Sequence, residues 1–262
     1  IVERMQHSVP WFLKPVTRIE AGRVKRYEGI LTREFDYTLA VTEIDRQYLL
    51  EAVQKMDDSA AVACAEKIRV IPISIDTQLL QPIQRKPGSK NILTLGTLHY
   101  PPNADGIRWF IQEVFPRIRR EEPQVNLVIV GKNPPRDFIH FAAENPQNVK
   151  VTGYVPDLTP YLEDAALLVI PVRAGSGMRV RILEALAEGM PIVTTTIGLE
   201  GIEAVPGEDL LVADTPTDFA EAVLNLLQNT ALQEKLAHNS RRLAEARYDW
   251  RVVLKKLDEV IH

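Results

Sequence analysis

The chain has 262 residues, enough for one large or two ordinary domains. Its 31 Lys and Arg against 35 Asp and Glu give a formal charge of −4, so no global positive field recruits nucleic acid. A single cysteine, Cys64, excludes an intrachain disulfide and a cysteine-based zinc site, and no apolar run approaches the ~20 residues of a membrane span.

Residues 1–20, with Pro10-Trp11-Phe12 and Pro15, read as irregular or short helical structure. Apolar or aromatic residues at 16, 19, 24, 27, 31 and 35 then recur near the helical period. Tyr37–Val41 is a short strand. Thr42, with Asp45 three residues on, signals the start of a helix that runs to about Met56. Ile68–Ile71 is another strand, and Pro72 to Gly88 is polar and proline-bearing, as a linker is.

From Asn91 strands and helices alternate regularly. Strand Ile92–Leu95 leads to loop Gly96–Pro102, then to a helix from Asn103 to Arg120 with Ile107, Phe110, Ile111, Val114 and Ile118 on its buried face. Strand Val125–Val130, loop Gly131–Pro135 and helix Asp137–Glu144 follow. Then come strand Val149–Thr152, the turn Gly153-Tyr154-Val155-Pro156, and a short helix Leu158–Glu163. Strand Leu210–Val212 and helices Thr217–Gln228, Ala231–Arg247 and Arg251–Ile261 close the chain. This order predicts a doubly wound α/β domain, whose ligands bind beyond the carboxyl ends of the strands. The loops at 96–102, 131–135, 153–157, 171–178 and 195–201 therefore form one candidate surface.

The most informative stretch is 165–201. Ala166–Ile170 and Pro191–Thr195 are continuous apolar runs of strand length, as in a parallel sheet covered on both faces. Between them lies a helix, Arg179–Glu188, with Val180, Leu183, Leu186 and Ala187 on its apolar side and Gly189 as its terminator. The loop Gly175-Ser176-Gly177-Met178 enters that helix, and Arg179 and Arg181 sit in the first turn, against the preference of the helix dipole. Free amides, a positive dipole end and two guanidinium groups suit a phosphate or diphosphate. Alternatively, both arginines are solvated or paired with Glu184 and Glu188.

Elsewhere, the amides of Gly96 and Thr97 could face a diphosphate, with Asn103 capping the next helix and His99 either hydrogen-bonding a phosphate or a plain surface or packing residue. Lys132, after its strand, is either solvated or near phosphate or base, and Arg173 is similarly open. No HExxH, GxSxG, GxxxxGK[ST] or GxGxxG pattern occurs. Trp11, Trp109 and Trp250 are dispersed packing residues rather than a stacking platform.

Ile182-Leu183-Glu184-Ala185-Leu186-Ala187-Glu188-Gly189-Met190-Pro191-Ile192-Val193 resembles the donor-site region of glycosyltransferase family 4, the group 1 transferases of GT-B fold. GSGMRVRILEALAEGMPIVTT is similar to a subgroup associated with exopolysaccharide and exosortase gene clusters, written G-x-G-x-R-x-K-x-L-E-A. YEGILTREFDYTLAVTEIDRQYLL resembles the end of the family's N-terminal Rossmann-like domain. IRVIPISIDTQLLQP resembles its interdomain segment, with Ile73 and Ser74 where Asn and Gly are usual, and Tyr248-Asp249-Trp250 is typical of the subgroup.

The resemblance implies a GT-B fold, with a doubly wound Rossmann-like C-terminal domain and a partial N-terminal one. The expected division is 1–75 for the N-terminal remnant, 76–90 for the linker, 91–246 for the nucleotide-sugar-binding domain and 247–262 for a crossover helix. It implies a retaining transfer of a hexose from a UDP- or GDP-sugar to a glycan or lipid-linked acceptor, with no metal required and no nucleic-acid partner. Arg179 and Arg181 would hold the diphosphate and Glu184 the ribose. Gly96, Thr97, Lys132, Tyr154, Val155, Ser176, Gly177 and Met178 would line the nucleotide, with Tyr154 and Val155 at the base. The family's sugar-contacting glutamate falls on Ser176; Glu200 is the candidate to replace it, and His99 is the other sugar-side candidate. The expected location is the cytoplasm, with a lipid-linked acceptor drawing the enzyme to the inner membrane face. Because the sequence opens on Ile1 within helix-like residues, it is expected to be a fragment, inactive alone. The rival readings are a non-catalytic glycosyltransferase-like subunit, which Ser176 favours, and a GT-B nucleotide-sugar epimerase.

Overall fold

The computed structural model describes residues 14–261. The Pro10-Trp11-Phe12 segment lies outside the described residues. Helix α1, Lys14–Glu34, takes in the end of the 1–20 stretch, which was expected to be irregular or short helical. Its period is helical as predicted, but its apolar stripe is not the packed side: Ile19 and Tyr27 are 64% and 62% exposed. The packed side is made by small residues. Gly29 lies so close to the next helix that a Cβ there would come within 2.9 Å of the Ala52 carbonyl oxygen.

Strand β1 (Thr38–Ala40) leads into helix α2 (Glu43–Gln54), and Thr42 caps it as predicted, accepting the Asp45 N–H at 3.0 Å. Helix α3 (Asp58–Ala65) was not anticipated; Asp57 caps it by accepting the N–H groups of Ser59 and Ala60. Strand β2 (Ile68–Val70) then pairs parallel to β1.

The main sheet has six strands, all parallel: β3 (Asn91–Leu95), β4 (Asn126–Val130), β5 (Val149–Gly153), β6 (Leu167–Ile170), β7 (Ile192–Thr194) and β8 (Leu211–Val212). Their spatial order is β5-β4-β3-β6-β7-β8. Helix α4 (Pro101–Trp109) runs through a π turn at Phe110–Val114 into α5 (Phe115–Glu121). Helices α6 (Arg136–Glu144), α7 (Thr159–Glu163), α8 (Val180–Ala187) and α9 (Thr196–Leu199) connect the later strands. After β8 come α10 (Pro216–Gln228) and α11 (Thr230–Leu243), the latter continued by a π turn at Ala244–Tyr248. Short helical pieces α12 (Trp250–Val253), Leu254–Leu257 and α13 (Asp258–Ile261) replace the single last helix that was expected.

Apolar side chains leave both faces of these strands, which explains their unalternating sequence. Ile92, Leu127, Ile129, Leu167 and Val169 enter one core, with Phe110 from the π turn, Ile118 from α5 and Phe219 from α10. Leu93, Val130, Leu168, Ile170 and Ile192 enter the other, with Leu183, Leu186 and Ala187 from α8. Val180 departs from its expected place on the apolar side of α8 and is 43% exposed. It is the first helical residue, and helical side chains lean toward the N-terminus, which carries this one past the sheet edge. Gly189 ends α8 as expected, at φ +65°, with its N–H on Leu186 and the Met190 N–H on Ala185.

The segment after β2 is proline-bearing but firmly held. The Arg241 guanidinium donates to the carbonyls of Thr77, Leu80 and Ala187. Ile75 and Asp249 form a parallel bridge, and buried Asp249 accepts from both the N–H and the hydroxyl of Thr77 while capping α12 through the Arg251 N–H. Burial works to raise the Asp249 carboxyl, but the bonds from Thr77 and Arg251 outweigh it and hold the group below the ordinary carboxylate range.

Asp249→Ala is therefore expected to cost about 2–4 kcal/mol in denaturant unfolding at neutral pH, since it leaves buried donors unmatched. A depressed carboxylate stabilises fully above its unfolded value, about pH 4, and less as pH falls through the folded one. The acid limb of the stability curve should accordingly be shallower in the variant than in the wild type.

Candidate functional site

The order of strands reverses between β3 and β6, so the loops following these two strands part and leave a crevice at the carboxyl end of the sheet. The loop after β6 carries two left-handed glycines, Gly175 at φ +109° and Gly177 at φ +85°, and delivers the chain to α8. The residue at the helix N-cap is Arg179, which makes no side-chain cap, so the first amides of α8 are left for solvent or ligand.

The two arginines of this turn diverge. Arg179 Nη1 donates to the Ser176 carbonyl at 3.1 Å, whereas its Nε and Nη2 are buried and have no hydrogen-bond partner among the described residues. Gly175, at φ +109°, holds a backbone conformation that side-chain-bearing residues rarely adopt, and a Cβ there would sit 3.1 Å from Arg179 Nη2. Burial lowers the Arg179 guanidinium pKa, against which the charge of Glu200 and then Tyr100 act. Arg181 takes the paired arrangement instead. Its Nε donates to Glu184 Oε2 at 2.8 Å, its Nη2 makes a closer contact with the same oxygen, and Nη1 stands 4.0 Å from Glu188 Oε2. Arg181 Nη1 and Glu188 Oε2 are both buried with no hydrogen-bond partner among the described residues. Burial raises the Glu188 carboxyl, which Arg181 only partly opposes.

The loop after β7 is sewn to the loop after β6 by threonines. The Thr194 hydroxyl donates to the Ile170 carbonyl at 2.8 Å, and the Thr195 hydroxyl donates to Val172 while accepting the Gly198 N–H to cap α9. Thr196 is fixed by Asp214, through both its N–H and its hydroxyl. At the end of α9 the Glu200 carboxylate accepts the Gly177 N–H at 3.3 Å, next to Ser176. Gly201, at φ +79°, presses against Thr42 of the α2 cap and Met178; a Cβ there would lie 2.5 Å from the Thr42 methyl.

Ser176, Gly177, Met178, Arg179 and Glu200 are thus gathered in one place. The remaining candidates spread along the sheet end. The Gly96 amide is committed to the Val130 carbonyl at 3.1 Å and does not face a ligand. Thr97 and His99 are exposed. Asn103 is not the cap of α4: the helix starts earlier, at Pro101, with Tyr100 at the N-cap, and Asn103 Nδ2 reaches back to the Thr97 carbonyl. Lys132 lies over the Tyr154 ring, 4.6 Å from its centre, joining two candidates from neighbouring strand ends beside Val155. Because β5 is three strands from β6, that pair stands about 14 Å along the sheet from the β6 loop. Arg173 stacks on Trp109 at 5.4 Å and approaches Asp105. A hollow of about 350 Å³ lined by Arg85, Lys86, Gln233 and His238 lies at the opposite ends of β6 and β7 and includes none of these residues.

Sequence reasoning missed Thr42 as a neighbour of the site, and missed Asp214. Thr195 carried a signal, a threonine three residues before Gly198 at a helix start. Asp214 carried none, because its partner lies across β7 and β8.

Residues 89–229, more than half of the chain, match a family model described as "Glycosyl transferases group 1". The chain is 29% identical over 265 residues to the glycogen synthase of Mycobacterium tuberculosis (strain ATCC 25618 / H37Rv), covering 94% of this chain and 61% of that protein. It is 27% identical over 173 residues to the "Uncharacterized 44.6 kDa protein in cps region" of Klebsiella pneumoniae, covering 64% and 45%. Among solved structures, TarM superposes with a TM-score of 0.72 at 18% identity, covering 91% of this chain and 46% of TarM. Anabaena Alr3699/HepE in complex with UDP does so with a TM-score of 0.74 at 16% identity, covering 92% and 67%. At these identities the structural likeness speaks for the fold. The chain spans about half the length of the curated relatives it matches.

The buried Arg181–Glu188 approach yields a stability test. A carboxyl raised by burial stabilises the fold only while protonated, so its contribution is lost as pH rises through the folded value. Glu188→Gln should exceed wild type in stability by about 1 kcal/mol at pH 8. That margin should be gone by about pH 4, as followed by urea unfolding across pH.

Proposed function

The chain belongs to the group 1 glycosyl transferases and has the GT-B fold, and from that membership we propose that it forms the donor-nucleotide half of a family 4 hexosyltransferase. The observation that carries the reading is Arg179: a guanidinium with two buried, unmatched nitrogens beside the glycine loop and the uncapped amides of α8. A buried guanidinium whose donors are not fully matched is costly, and an anion that accepts from them offsets that cost. A nucleoside diphosphate supplies that anion.

In this reading the donor diphosphate rests on Arg179 and the α8 amides, with Ser176, Gly177 and Met178 closing around it. The base extends toward Tyr154, Val155 and Lys132. Glu184 takes the ribose, and Arg181, now its partner, turns the carboxylate toward the ligand or shares it. When the glycosidic bond to the diphosphate breaks, negative charge grows on the leaving oxygen, and preorganised guanidinium and amide donors stabilise it. The reading assigns that charge to these groups rather than to a metal ion. The transfer retains configuration, the donor is a UDP- or GDP-sugar, and the product belongs to polysaccharide biosynthesis in the exopolysaccharide subgroup. The relatives include a glycogen synthase and a mannosyltransferase, and Anabaena Alr3699/HepE forms a complex with UDP and glucose, which supports a hexose donor and a glycan acceptor. No helix of the described residues is long and apolar enough to cross a membrane; in this reading a lipid-linked acceptor is met at the membrane surface. Ser176, a hydroxyl where the family has a carboxylate, favours a second reading, a nucleotide-binding partner subunit that transfers nothing.

Calorimetric titration with UDP, GDP, ADP and their sugars tests the first step. One diphosphate should saturate, and Arg179→Ala should weaken it about tenfold or more, the loss of a charge-assisted contact. Unchanged affinity in that variant would remove Arg179 from the site. The 262-residue chain, at about half the length of its relatives, is expected to bind donor without transferring sugar; product formation by it alone, followed with radiolabelled donor, would contradict this.

A further inference from the structure

We propose that Glu200 is a specificity-determining residue whose carboxylate stands, in the ligand-free protein, in the anion cradle of Gly177 and Arg179 that a donor diphosphate must take over. This rests on the donor-site reading above.

Three observations meet at this residue. Its Oε1 accepts the Gly177 N–H at 3.3 Å, a long bond made to the amide that opens the approach to α8. Arg179, whose Nη1 donates to the neutral Ser176 carbonyl while its Nε and Nη2 are unmatched among the described residues, has Glu200 as the foremost charge opposing its burial. The backbone that carries Glu200 is pinned on both sides, by Thr195 and Thr196 before it and by Gly201 against Thr42 and Met178 after it. The carboxylate is therefore tethered in place, and rotation of its own side chain is the motion that vacates the cradle.

A tethered carboxylate acts as an internal competitor. A ligand that brings a single weak anion exchanges one charge for another and gains little, whereas a diphosphate brings several charges and more acceptor oxygens to the same donors. A nucleoside without phosphate does not enter the cradle and is unaffected. Glu200 thereby sets a threshold that favours diphosphates over carboxylates and monoanions.

Glu200→Gln keeps the side-chain shape and an oxygen for the Gly177 N–H while removing the charge; Glu200→Ala removes both. Calorimetry of the 262-residue chain with UDP, GDP and ADP, and with uridine, guanosine and adenosine, reads the effect. The nucleoside diphosphate that binds wild type should bind both variants about five- to tenfold more tightly, as when an occluded fraction of the sites is released. The matching nucleoside should bind all three proteins alike, and thermal melts should show both variants folded. Unchanged or weaker diphosphate binding in Glu200→Gln, with wild type still binding, overturns this inference alone. If neither wild type nor the variants bind any of the diphosphates, the donor-site reading falls with it.

Discussion

The ladder β5-β4-β3-β6-β7-β8 is parallel at every link, so each strand must be followed by a return across a sheet face before the next can pair. Both faces are covered as a result, and the strands' own side chains are committed to two cores. Polar chemistry is then confined to the ends of the strands. At the carboxyl end, the reversal between β3 and β6 keeps two loops from being bridged by a common crossover, and the crevice between them is where the charged residues of the β6 loop and α8 collect. The site follows from the sheet.

Within that crevice, two arginines two residues apart in sequence meet opposite environments. Arg181 lies on the helix, within one turn of Glu184 and near Glu188 farther along, and is neutralised by carboxylates of its own element. Arg179 precedes the helix, where the chain is still extended, and its guanidinium folds back over Gly175 and Ser176. Burial without a matched partner makes the second arginine the stronger cue to an anion, while the first positions a carboxylate.

The contact between Gly201 and Thr42 ties this chemistry to the small β1–β2 sheet. Thr42 caps α2, so the same residue that starts a helix in one part of the chain borders the β7 loop of the other. Farther away, the bridge between Ile75 and Asp249 and the grip of Arg241 on Thr77 and Leu80 hold the connecting segment to the last helices. A segment that is linker-like in composition is, in the fold, a strap with buried anchors.

Much of this was legible in the sequence. Unbroken apolar runs such as Leu167–Ile170 announce strands buried on both faces, Gly189 marks a helix end and Thr42 a helix start, because each reflects a local backbone or burial preference that acts within a few residues. The Ile182–Val193 pattern likewise pointed to the family that residues 89–229 match. What the sequence could not decide were relations across distance. The apolar period of α1 says that it is a helix, but the packed side was set by Gly29 against Ala52, which lie 23 residues apart in sequence. The amide of Gly96 was taken by Val130, and Glu200 was brought to Gly177, by strands that are neighbours only in the folded sheet. Local propensity determined the elements of this protein; which polar groups are satisfied and which are left for a ligand was decided by tertiary structure, because hydrogen-bond partners and desolvation exist only once distant segments have met.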